Sequence, residues 1–540
     1  MRHLAILVVL MLGACGGSED GGDAGSGPAS TLDWPQWAHD AAHGGQARAT
    51  GQPLSRLLAD RVYDPFADDV ANAAGGVFIH YPAPLVAGDD VFMMFKAGSA
   101  GAPTWTQKRL RFGTAGLEER WTFSSDWQPA PGLSWEPVFH AALTSGFLYV
   151  PAAGGGVFKL DRESGARVAR IDPLGAAPDT FVVGPLTVAP DGSILYNALA
   201  LDLADPWRRE AKGSWLVRIA PDDRAVAASY ATLVPGAPAA GAACEQSFAS
   251  GQLPWPPSPA ARPATAACGA QRPGVNVAPA VAADGSVVTV SRAHLNSRYA
   301  YVVALHPDLT PRWAASLRDR LSDGCGSALL PPTGSPGGCR AGARAGVDPA
   351  TNAPPAGRVL DISSSSPVIA PDGSVLYGAY TRYNYARGHL FHFDAAGRFL
   401  NAHDFGWDVT PALRASGQGY SIVIKDNSYD AGSYCEDARF CPKKPDGPYR
   451  LAQLSSQLAP EWYSAPAADE WCINAPAVDA EGTVFAVNED GYLYAIRQGG
   501  AVRDRILLAR AVGAAYTPLA IGGNGRIFAL NYGRMFVAGN

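Results

Sequence analysis

The 540-residue chain has little charge and none of it gathers. Its 43 Lys and Arg against 49 Asp and Glu leave a net charge of −6, with no basic tract. Neutralising phosphates needs a concentrated positive surface, so a nucleic-acid partner is not expected. Cysteine is sparse: eight residues, none adjacent and none spaced CxxC, which argues against a thiolate metal centre and leaves no metal site expected. No GxSxG elbow, HExxH pair, P-loop or dinucleotide fingerprint occurs, so no catalytic residues are assigned. The apolar run at residues 4–12 is far short of the ~20 residues that a membrane-spanning helix requires.

Glycine (60) and proline (44) are abundant, and they punctuate a phrase that returns along the chain. A proline, a short apolar strand, a glycine turn and a second apolar strand recur as APLVAGDDVFMMF from Ala83, GPLTVAPDGSILY from Gly184, APAVAADGSVVTV from Ala278 and SPVIAPDGSVLYG from Ser366. Related versions begin at Glu136, Thr410, Ala475 and Thr517, giving eight in all. Strand pairs at such spacing cannot bury their faces singly, and they predict an all-β, eight-bladed β-propeller of four-stranded blades. In the fourth repeat, Asp284-Gly285 makes the first turn, and Trp313 lies on the outer strand.

The last repeat ends before its outer strand, whereas LLADRVY at residues 57–63 looks like one. This N-terminal strand is expected to close the ring by completing the final blade. In a propeller the turns between first and second strands share one face with those between third and fourth, and the remaining connections open on the other. The first kind are tight here. The long segments, residues 201–213, 293–298, 381–387 and 428–447 together with 235–273 and 318–361, all fall on the opposite face. One face should therefore be loop-bearing and the other bare.

At the N-terminus, Arg2 and His3 precede the apolar run, as in a secretory signal. Leu12-Gly13-Ala14-Cys15 resembles a bacterial lipobox, which implies a signal peptide over residues 1–14, lipidation of Cys15 and a membrane anchor. Residues 15–30 have a linker's composition, and residues 31–540 form one propeller domain. Gly16 replaces the aspartate that marks inner-membrane retention in Gram-negative lipoproteins, which implies the outer membrane. Three local disulfides are expected, Cys244–Cys268, Cys325–Cys339 and Cys435–Cys441, each closing an insertion in an oxidising compartment, with Cys472 left as a buried thiol.

Residues just ahead of the blades' first prolines should ring the channel mouth on the loop-bearing face: Tyr81, Trp135, Glu136, Asn276, Trp407, Asp408, Trp471, Asn474 and Tyr516. Tyr383 and Tyr385 sit on one loop of the same face, and Arg292, His294 and Arg298 on another. Aromatic walls with a few carboxylates and amides suit a small polar ligand or a protein segment, although the same residues could simply pack between blades. A monomer is expected.

Asp33-Trp34-Pro35-Gln36-Trp37, with His39-Asp40 and His43-Gly44-Gly45, resembles the opening of proteins built from pyrroloquinoline-quinone-like propeller repeats. VFKLDRESG (residues 157–165) and ALHPDLTPRW (304–313) resemble that family's blade-docking phrase, with Trp121, Trp313 and Trp462 at its docking tryptophan. One branch, the quinoprotein dehydrogenases, holds the quinone with calcium, a catalytic aspartate and, in many members, a disulfide between adjacent cysteines, which this chain lacks. The other branch, BamB-type envelope lipoproteins, binds partners through loops on one face. The resemblance implies a binding or scaffold module with no cofactor. The alternative is a quinone-dependent dehydrogenase-like or polysaccharide-acting enzyme that uses the channel mouth, with pyrroloquinoline quinone and calcium.

Overall fold

Each repeat phrase folds as its alternation predicts. In the fourth, Ala280–Val281 pairs with Val287–Ala293, which pairs with Ala300–Leu305 and then Pro311–Ser316, all antiparallel. At the first turn the Asp284 carboxylate accepts the Ser286 N–H at 2.9 Å. The computed structural model describes residues 32–540 except 75–76, 138, 249–257, 322–346, 349–350, 382–386, 408, 418, 430–445, 473–474 and 510–516. Eight such sheets succeed one another along the chain and form an eight-bladed β-propeller.

The ring closes as the sequence predicts. Arg56–Val62 pairs antiparallel with Arg534–Gly539, the third strand of the last blade, in a register running from Arg56 opposite Gly539 to Val62 opposite Arg534. Blades are locked by tryptophans of the kind expected. Trp121 donates its indole N–H to the Arg162 carbonyl of the next blade at 3.0 Å, and Trp313 does the same to Ala395 at 3.1 Å. Each ring lies on a glycine, Gly165 or Gly397, at φ of +72° and +80°; a Cβ at either would come within 2.5 Å of the indole. Trp462 packs at the junction of blades six and seven.

The described parts of the long connections all leave the expected face. The opposite face is not bare, which corrects the sequence-based expectation. Residues 33–52 pass across the inner strands of all eight blades in chain order. Val86 N–H donates to the Trp34 carbonyl at 2.9 Å, Leu143 N–H to Pro35 at 2.8 Å, and Val188 N–H to the Gln36 side chain. Val281, Ile369 and Leu413 donate to Ala41, Ala42 and Gly44; Val478 exchanges bonds with Gly45 and Ala47; and Gln52 N–H reaches Gly525 in the eighth blade. The reason is physical. An innermost strand has one edge with no neighbour, and its buried backbone groups need partners. The N-terminal segment supplies them at the tight-turn end of every blade.

Candidate binding face

The repeat register puts one residue per blade on the axis immediately before the inner strand: Ala83, His140, Gly184, Ala278, Ser366, Thr410, Ala475 and Thr517, all buried. Seven are small, because the Trp37 indole, rising from the N-terminal segment, fills the space between them. It is 2% exposed, clusters with Ala83, Ala278 and Ala475, and meets His140 edge-on at 5.1 Å. Burial pushes the His140 imidazole down to about 3, and neither ring nitrogen has a hydrogen-bond partner among the described residues. His43, also on the segment, bonds the Pro367 carbonyl at 2.7 Å and is lowered to about 4 by burial.

Toward the loop-bearing face the axis is bridged again. His80, ahead of blade one, lies 3.2 Å from the Ser364 hydroxyl, ahead of blade five, so residues from opposite sides of the ring are hydrogen-bonded. Neighbouring connections zip together beside this bridge. His80 N–H donates to the Glu136 carbonyl, Asn276 N–H to Val183, and Ala475 N–H to Thr410.

Several residues expected at the mouth hold it up from below. Tyr81 is buried and donates its hydroxyl to Asp64 at 3.0 Å, with its own pKa pushed well up by burial. Asn276 is buried at φ +67°. Trp471 is buried against Tyr494 and exchanges bonds with the Asn427 amide. Trp135, Glu136 and Trp407 are partly exposed. Trp135 packs edge-on to Phe78 and tilted against His80, while Trp407 stacks on Tyr380 at 5.1 Å. Glu136 is 2.7 Å from the buried Lys96 ammonium, which also reaches Asp64 at 3.1 Å. Burial raises the Glu136 carboxyl against the pull of Lys96. Tyr383, Tyr385, Asp408, Asn474 and Tyr516 lie outside the described residues.

Two further clusters on this face escaped the sequence reading. Arg272 grips Asp361 with both guanidinium arms at 2.7 and 2.6 Å, and Arg292 adds a third bond at 3.0 Å. Arg272 also donates to His294 at 2.7 Å and stacks over Trp207. Arg292, His294 and Arg298, expected on an exposed loop, are buried instead. Burial opposes ionisation of Asp361, but the two arginines outweigh it and hold the carboxyl well below the usual range. This cluster fastens the connection before blade five to blade four. No local motif could have signalled a contact between positions 89 residues apart. In the second cluster, Glu470, Cys472 and Glu489 bring one ligand-type atom each within 4.8 Å of one another. Burial, reinforced by Glu470, raises Glu489 to about 7, and burial raises the Cys472 thiol well above its ordinary value.

Cys244–Cys268 is disulfide-bonded, and Cys472 is a buried free thiol, both as expected. Cys15, Cys325, Cys339, Cys435 and Cys441 lie outside the described residues.

No protein-family model and no curated protein matches the sequence. Solved structures do match. A europium-containing methanol dehydrogenase superposes with a TM-score of 0.53 at 11% identity, over 92% of this chain and 89% of that one. The quinohemoprotein alcohol dehydrogenase from Comamonas testosteroni gives 0.53 at 13%, over 93% and 76%. BamB from Moraxella catarrhalis gives 0.43 at 12%, over 90% and 99%. The fold is the pyrroloquinoline-quinone-like eight-bladed propeller. At these identities the likeness of this propeller to the dehydrogenases is one of architecture, and function must be argued from its own residues.

Proposed function

We propose that the protein is a cell-envelope binding module, held by lipid at Cys15 in the outer membrane, whose partner or small polar ligand engages the loop-bearing face. One observation carries this reading. Every long connection that can be followed leaves the same face, while the other end of the channel is filled by the chain's own N-terminal segment. Half-exposed Trp135 and Trp407 at the mouth supply the aromatic surface that anchors partners. Scaffolded loops on a rigid disc are a common seat of recognition.

The quinone alternative fits the described residues poorly. A flat tricyclic cofactor on the axis would have to part His80 from Ser364, and carboxylates on this face are already engaged, Asp64 and Glu136 with Lys96 and Asp361 with Arg272 and Arg292. A photo-reactive benzoyl-phenylalanine placed at Leu203, on the long loop of blade three, should capture an envelope component from intact cells. The same group at Asp308, in a tight turn of the opposite face, should not. Adducts from Asp308 with none from Leu203 would overturn the proposal.

A further inference from the structure

We infer that the tight-turn face is the side by which the protein is held, so that the loop-bearing face is directed away from the membrane and meets a partner from the aqueous side. This rests on the lipid anchor proposed above. The chain enters the described structure on the tight-turn face. Asp33 N–H donates to the Val86 carbonyl at 2.9 Å, at the turn end of blade one, and Asp33 receives the Gly88 N–H at 2.8 Å. Leu32, exposed, lines a depression on that face together with Arg48, Thr144, Pro190 and Gly523, residues of the N-terminal segment and of the tight turns.

Chain length bears on which face lies against a bilayer. Sixteen residues, 16–31, separate Cys15 from Leu32. At full extension they span at most ~55 Å. With the tight-turn face down, that length is ample. With the loop-bearing face down, the same chain would have to cross four strands at ~4.8 Å spacing, about 19 Å, and then descend the ~24 Å of a seven-residue strand, about 43 Å before any loop is cleared. That path uses most of a tether that reaches ~55 Å only when fully extended, whereas the tight-turn face can rest on the bilayer with the chain relaxed, so the tight-turn face is the favoured membrane side.

The partner implied is a protein whose docking element stands clear of the bilayer by at least the height of the disc, as a soluble envelope protein or the aqueous domain of a membrane protein does. A partner that presents only lipid-level surface would not reach the loops.

The test uses the full lipidated protein in vesicles containing nitroxide-labelled lipid, with a bimane fluorophore on Glu481→Cys in a tight turn or on Leu203→Cys on the long loop. Several-fold stronger quenching at the Glu481 position is expected. A protein that does not float with the vesicles refutes the anchor, and the inference with it. A protein that floats but shows equal or greater quenching at the Leu203 position overturns the orientation alone. The variant Glu481→Ser, which adds no cysteine to the turn, is labelled in parallel and reports any background from the native cysteines.

Discussion

Replacing Trp37 with alanine should open the axis of the disc. The indole is 2% exposed and bounded by Ala83, Ala278 and Ala475, whose side chains cannot extend into the space, so His140 alone could swing inward. Deleting a buried aromatic costs about 3–5 kcal/mol, and a site that cannot collapse lies toward the upper end. Unfolding entropy of about 2.1 cal/mol/K per residue gives roughly 1 kcal/mol/K for a chain of this size, so the loss corresponds to a fall in Tm of about 3–5 °C. Scanning calorimetry of the wild type, Trp37→Ala and Trp37→Phe reads this directly, with Phe falling between the two. Added indole should restore part of the loss by binding the cavity. A fall of less than about 1 °C, with no response to indole, would refute the axial role of Trp37.

Acid should weaken the fold through its buried histidines. His43 and His140 have folded values of about 4 and about 3 against an ordinary 6.5, so the unfolded chain binds more protons and stability falls as pH drops from 6.5. Each contributes a loss of about 2 kcal/mol by pH 5, and His140→Phe should flatten the pH profile of urea midpoints between pH 6.5 and 4. Glu489 acts in the opposite sense. Its folded value of about 7 exceeds its ordinary 4.5, so the stability it adds in acid is lost as pH rises toward 7, and Glu489→Gln should remove that slope. Asp361→Asn strands two buried guanidinium groups, and a loss of about 3–5 kcal/mol should appear in urea titration. Deleting residues 32–62 removes the closing strand and the inner-edge partners together; size-exclusion chromatography should show aggregate in place of monomer.

The blades were legible because their signal is local. A proline, two alternating strands and a glycine turn specify a hairpin within about fifteen residues, and repetition specifies the ring. Closure by Arg56–Val62 was equally readable, since a strand missing at one end matched a surplus strand at the other. The axial path of residues 33–52 was not legible. Its residues carry no strand alternation, and its bonds run to eight partners scattered over more than 400 positions, all but the Gln36 side-chain contact with Val188 through backbone groups that any sequence has. The mouth was half legible. Position before the prolines placed Trp135, Glu136 and Trp407 there, but burial of Tyr81, Asn276 and Trp471 depends on Asp64, Val183 and Asn427, which lie elsewhere in the chain. Arg292 and Arg298 looked solvated for the same reason, because the Asp361 that draws Arg292 inward is 69 residues away.

The passage of residues 33–52 beneath every blade has a bearing on how the molecule is made. This stretch leaves the ribosome before any blade exists, yet its last contact, at Gly525, is synthesised nearly at the end. Until then it has only part of its hydrogen-bonding partners, and no set of early blades can complete the arrangement. The N-terminal segment can thus settle fully only when the eighth blade is in place, and a chain without that blade leaves both this segment and its inner edges short of partners.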